Sequence, residues 1–99
     1  MEILKTKNGT SLNLSLEGRL DTTTAPQLEN ELKQSVSDVT ELVLDFEKLE
    51  YISSAGLRVV LKAQKVMKAK GTMKLIHVSD AVMEVFDITG FADFLTIEQ

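Results

Sequence analysis

"ELVLDFEKLEYISSAGLRVVL", from Glu41 to Leu61, decides the fold by the way it divides. Leu42, Leu44 and Phe46 alternate with Val43 and Asp45, the period of two that a strand requires, so Glu41 to Glu47 is predicted to be a strand. Leu57, Val60, Leu61, Gln64 and Met67 then recur at helical spacing, and Gly71 is placed to end that helix. Between the two periods stand two hydroxyls, an alanine and a glycine. Ser53 can cap the helix, which puts Ser54, Ala55 and Gly56 in its first turn. Residues this small fit close packing behind a helix cap, the commoner reason for a serine there, and also fit room left for another molecule.

Outward from this junction, strands and helices alternate. Ile3 to Lys7 and Ser11 to Glu17 flank Asn8-Gly9, a dipeptide suited to a tight hairpin turn. Leu12, Leu14 and Leu16 alternate with Ser11, Asn13 and Ser15, which gives that strand one buried and one wet face. In "DTTTAPQLENELKQSV", Thr24 and Gln27 have capping-box spacing and Pro26 falls in the first turn. Leu28, Leu32 and Val36 share the inner face of that helix. Downstream, "MKLIHV" is a further strand, and Ser79 caps a helix with Val82, Val85 and Phe86 that ends at Gly90. The tail "DFLTIEQ" suits a last strand or a short helix.

The order β-β-α-β-α-β-α predicts a single α/β domain over residues 1–99, with a mixed, mostly parallel sheet. A doubly wound sheet needs strands apolar on both faces. The polar alternation of Ser11 to Glu17 instead predicts helices mainly on one face, leaving Ser11, Asn13 and Ser15 uncovered.

Bulk properties narrow the function. The chain has 99 residues, 43% of them hydrophobic and 26% charged, with formal net charge -4. Such a balance argues against nucleic acid as a direct partner. No cysteine is present, so neither a disulfide framework nor a thiolate metal site is available. No apolar run approaches the roughly 20 residues of a membrane span, and "MEILKTKNGT" lacks the apolar core of a signal peptide. No membrane insertion is expected, and the cytoplasm is the expected location.

The junction at Ser53 to Gly56 lies between the carboxyl end of a strand and the amino end of a helix. In open α/β sheets, sites gather there, and the free N–H groups of a helix start favour a phosphate. Asp21 would share this rim if its strand neighbours the one from Glu41.

Three stretches, "EGRLDTTTAPQLENEL", "LVLDFEKLEYISSAGLRVVL" and "ITGFADFLTI", resemble in order the landmarks of the STAS domain family, in its stand-alone anti-sigma factor antagonist branch. The resemblance implies a small bacterial regulator, not an enzyme, that is phosphorylated on a serine by a kinase that is also the anti-sigma factor. The unphosphorylated form binds this serine kinase and frees the sigma factor, so transcription is regulated by partner switching. On this chain the family's acceptor position is Ser54, followed by Gly56 and Leu57 of its motif, while its two acidic positions are Asp21 and Asp45. Two departures stand out: Ser53 occupies a position that is often aspartate, and Ala55 one that is often serine. Ser53 is therefore a competing, less favoured acceptor. The surroundings of the phosphate and partner are expected to include Asp21, Asp45, Ser53, Ala55, Gly56, Leu57 and Arg58.

Other residues fit blander roles. His77, the sole histidine, is expected to be structural. Arg58, Lys62 and Lys65 make a basic stripe that is either a solvated face or a rim for partner contact. Met67, Met73 and Met83 suit core filling. Asp21 and Asp45 could suggest magnesium or a phosphoaspartate, but the acidic pair that follows a receiver's first strand is absent. Neither metal, cofactor nor catalytic residue is expected, and the chain is expected to be monomeric. A second class remains open, a STAS adaptor subunit of a lipid-transport or other complex in which Ser54 is only part of a helix start. A serine hydrolase fits poorly, because "SSAG" lacks the glycine before the nucleophile.

Overall fold

The computed structural model describes residues 1–99, and its hairpin comes first. β1 (Glu2–Asn8) and β2 (Ser11–Leu20) pair antiparallel, with Asn8 opposite Ser11. The turn is therefore Gly9-Thr10, one residue later than Asn8-Gly9, and only Gly9 takes a positive φ, of 65°. α1 (Ala25–Ser35) leads to β3 (Glu41–Ile52), which runs parallel to β2. α2 (Ser54–Lys68), β4 (Thr72–Ile76) and α3 (Asp80–Thr89) follow, and the sheet order is β1-β2-β3-β4. The tail supplies both expected alternatives: a 3-10 turn over Phe91–Phe94, then a single parallel bridge from Ile97 to Leu75 on the outer edge of β4.

The sheet is covered on one face only. Leu12, Leu14 and Leu16 of β2, Leu42, Leu44 and Phe46 of β3, and Met73 and Leu75 of β4 are buried. They form one core with Leu28 and Leu32 of α1, Val60 and Met67 of α2, and Val82 and Phe86 of α3. Phe46 and Phe86 stack with ring centroids 6.4 Å apart, fixing α3 to β3. Ser11, Asn13 and Ser15 lie on the opposite face and are half-exposed, as their alternation predicted. No helix is long and apolar enough to cross a membrane.

One boundary differs from the sequence reading in a way that moves the site. β3 continues past Glu47 to Ile52. Its buried residues switch from a spacing of two (Leu42, Leu44, Phe46) to a spacing of three (Leu49, Ile52). The pairing explains this: Ser15 faces Asp45 but Glu17 faces Lys48, and Gly18 faces Leu49 but Arg19 faces Tyr51. Each shift inserts one extra residue into β3, a bulge that keeps the strand paired while breaking its alternation. Gly18, at φ 107°, is where β2 adapts to the second shift.

Candidate functional site

The rim at the carboxyl ends of β2 and β3 is tightly built. Leu20 pairs with Ile52, and the Ser53 N–H donates to the Leu20 carbonyl at 2.9 Å. Asp21 and Ser53, each following its strand by one residue, thus stand at one edge.

Asp21 organises the entry to α1. Its Oδ1 accepts from the Thr23 hydroxyl at 2.8 Å and from the N–H groups of Thr23 at 3.0 Å and Thr24 at 3.2 Å. Those bonds, the Thr23 hydroxyl first, hold its carboxyl below the ordinary aspartate value. Thr24 sits at the cap position of α1, but its side chain makes no capping bond. Its hydroxyl instead donates to the Arg19 carbonyl at 2.8 Å and accepts from the Asp21 N–H at 2.8 Å. The expected box between Thr24 and Gln27 is thereby replaced by an aspartate-centred turn. Arg19 lies 4.3 Å from the centre of the Tyr51 ring and 3.8 Å from Asp21, which completes this edge with a cation over an aromatic face.

On the other side of the rim, Ser53 has extended backbone (φ -99°, ψ 175°) and its carbonyl accepts from the Leu57 N–H at 2.9 Å, so it is positionally the cap of α2. Its hydroxyl, however, makes no capping bond and is buried without a partner. The expected loss of about 1 kcal/mol for a missing cap therefore does not apply. Ser53→Ala is expected to change stability by less than about 0.5 kcal/mol, because no bond is broken and an unpaired hydroxyl is removed. A shift in the urea midpoint equivalent to 1 kcal/mol or more of destabilisation would contradict this.

Ser54 is the first residue of α2, and its side chain is exposed. No acidic residue occupies the first turn of α2, so its amino end keeps its positive character. Arg58 is exposed one turn further on, at the i+4 spacing that brings side chains together on a helix surface. Arg58 and Lys65 have no ion-pair partner, whereas Lys62 is bound to Glu29 at 3.0 Å.

The small residues after Ser54 divide between the two explanations open at the sequence level. Ala55 is half-exposed and leaves a low surface beside Ser54. Gly56 is buried, and a Cβ there would lie 2.6 Å from Leu20 Cγ and 3.0 Å from Ile52 Cγ1. Gly56 is therefore small for the sake of the interior, letting α2 sit on the strand ends. Leu57 is buried and anchors the same turn.

Asp45 is not at this rim. It lies on the open face of the sheet, in the row formed with Ser15 and Ile76, and six residues of strand separate it from Ile52. At about 3.3 Å per residue that is roughly 20 Å. Its partner is His77, which follows β4 rather than belonging to it and takes a left-handed φ of 56°. His77 Nδ1 is 2.9 Å from Asp45 Oδ1 and 3.9 Å from Glu47 Oε2. The bond from Asp45 raises the imidazole above its ordinary pKa, and both carboxylates add to the effect. Glu47 was not singled out by the sequence. Its signal was weak, since Asp45-x-Glu47 becomes a group only when the parallel pairing brings in a residue thirty positions later.

The family model described as STAS domain matches residues 2–99. The chain belongs to the STAS domain family. It is 40% identical over 84 residues to the Bordetella bronchiseptica protein BtrV, spanning 83% of this chain and 72% of that protein. It is 28% identical over 92 residues to the anti-sigma-B factor antagonist of Bacillus subtilis, spanning 92% of this chain and 84% of that one. BtrV carries the anti-sigma factor antagonist designation too. Among solved structures, unphosphorylated SpoIIAA superposes with a TM-score of 0.78 at 20% identity, over 99% of this chain and 87% of that one. Phosphorylated SpoIIAA of Bacillus superposes at 0.77 and 20%, over 99% and 92%. At such identity the likeness to these structures is one of fold.

Proposed function

We propose that this STAS protein is an anti-sigma factor antagonist switched by phosphorylation of Ser54. The observation that carries the reading is the exposed hydroxyl of Ser54 at the first position of α2, on a rim shared with Asp21. In its unphosphorylated form the chain binds an anti-sigma factor that is also a serine kinase, and the sigma factor is released. Phosphoryl transfer to Ser54 dissociates the pair. The chain acts by binding and is the substrate of a kinase, not itself a catalyst.

Each neighbour has a role in this reading. Asp21 holds the β2–α1 turn rigid beside the acceptor, and Ala55 provides the low surface that a partner approaches. Ser53 sets the extended entry to the helix. Gly56 and Leu57 act from within, seating the first turn against Leu20 and Ile52 so that Ser54 is presented at a fixed height. Arg58 faces the acceptor across one helical turn and offers a cation to the partner or to the phosphate. The names of the related proteins support the reading; the designation of an antagonist passes to this chain as a proposal.

The test is incubation of the protein with ATP and the cognate anti-sigma kinase, followed by phosphopeptide mass spectrometry. A single phosphate on Ser54, abolished in Ser54→Ala and retained in Ser53→Ala, is expected. Modification of Ser53 alone would end the proposal.

A further inference from the structure

The open face of the sheet carries a second cluster that the partner switch does not use. From its geometry we infer that Asp45, Glu47 and His77 form a binding site for one divalent transition-metal ion of the zinc class. The three side chains come from β3 and from the residue after β4, and their ligand atoms all lie within 4.8 Å of one another. An imidazole nitrogen and two carboxylate oxygens suit zinc and its first-row neighbours, whereas magnesium and calcium prefer oxygen alone.

The distances are close enough for small side-chain movements to turn the group into a ligand set. Nδ1 of His77 and Oδ1 of Asp45 are 2.9 Å apart. A tetrahedral zinc about 2.1 Å from each would need them about 3.4 Å apart, a small opening for which the half-exposed imidazole has room. Nδ1 and Oε2 of Glu47 are 3.9 Å apart, and Glu47 is 66% exposed, so its side chain is free to move the short distance that closes the third position. Asp45 is the fixed member: it is only 18% exposed, and its Oδ1 also accepts the Glu47 N–H at 3.0 Å. That bond orients the carboxylate and holds Oδ1 toward His77, as an outer-shell contact to a ligand does. No lysine or arginine answers either carboxylate, whose only charged contacts are with His77. Two carboxylates thus face one imidazole with no other cation beside them. Three protein ligands on an uncovered face leave the remaining positions to water.

This site is about 20 Å from Ser54 by the length of strand between them, so its fate is independent of the phosphorylation reading. None of the three residues belongs to the core, so no dependence of folding on metal is expected. The test is calorimetric titration of untagged, metal-stripped protein with zinc chloride, paired with 15N NMR of the same sample. Saturable binding of one ion per chain is expected, with shifts confined to the residues around Asp45, Glu47 and His77. His77→Asn should weaken binding by at least about tenfold, as should Asp45→Asn. Asparagine is chosen at position 77 because it tolerates the left-handed backbone there, and an unchanged spectrum elsewhere shows that the variant folds. Millimolar magnesium should not compete. Absence of saturable binding, shifts centred elsewhere, or variants that bind zinc as tightly as the wild type would overturn the inference.

Discussion

Phosphoryl transfer to Ser54 is expected to weaken binding of the anti-sigma factor by about a hundredfold, with the fold left in place. A phosphate adds a charge of about -1.5 to -2 and three strong acceptors. At the start of α2 the protein itself accommodates them. No acidic side chain occupies the first turn and the Ser53 hydroxyl does not engage its N–H groups, so the helix end gains roughly 0.3–1 kcal/mol from the added charge. The partner does not share that gain. On the proposed reading its surface comes close to Ala55 and would meet both bulk and a charge stripped of water. A loss of ~3 kcal/mol corresponds to about two orders of magnitude in affinity.

The variants follow from the same balance. Ser54→Ala should fold, resist phosphorylation and bind the anti-sigma factor as the wild type does. Ser54→Asp carries less charge than a phosphate and should still bind at least about tenfold more weakly. Calorimetry with the purified partner measures both. Equal affinity of Ser54→Asp and wild type would sink the switch, whichever residue the kinase modifies.

The order of elements and the one-sided sheet were legible because each rests on a local period: two in Leu12-Leu14-Leu16 and in Leu42-Leu44-Phe46, helical in Leu57-Val60-Met67. The far half of β3 was not, because two bulges change its buried spacing to three and mimic the end of a strand. Ser54 was legible as the start of a helix and through the family resemblance. The reason for Gly56 was not, since only the approach of Leu20, thirty-six positions earlier, shows which side of the turn is crowded. The Thr24–Gln27 spacing misled for a related reason. The Asp21 carboxylate reaches the same N–H groups first, and the sequence does not say which acceptor wins. Long-range pairing also made the Asp45–His77 contact invisible: neither residue has a ligand partner at a recognisable spacing, and register alone unites them.

Gly71→Ala is expected to be among the most damaging single substitutions in the chain, destabilising it by about 3 kcal/mol or more. Gly71 is not needed for an unusual backbone angle, since its φ is not positive. Nor does it cap α2 in the left-handed manner, as Gly90 caps α3 at φ 77°. The reason is Thr40. The chain leaving α2 turns back through the Gly71 N–H, bonded to the Met67 carbonyl at 2.6 Å, and the next residue donates to the Thr40 carbonyl at 2.8 Å. A Cβ on residue 71 would stand 1.9 Å from that carbonyl oxygen and 2.8 Å from its carbon. Neither backbone can yield cheaply. Thr40 is itself tied to the Thr10 carbonyl at 2.8 Å, and Thr72 opens β4 opposite Glu41. Relief must therefore break the first bond of the β3–β4 pairing or displace the end of α2. For a domain of this size the melting temperature should fall by roughly 12–24 °C. Gly90→Ala is the control, because a Cβ there meets nothing within 4 Å and only the left-handed backbone penalises it, by about 1–2 kcal/mol. Equal destabilisation by the two would show that the approach of Thr40 is not what fixes glycine at position 71.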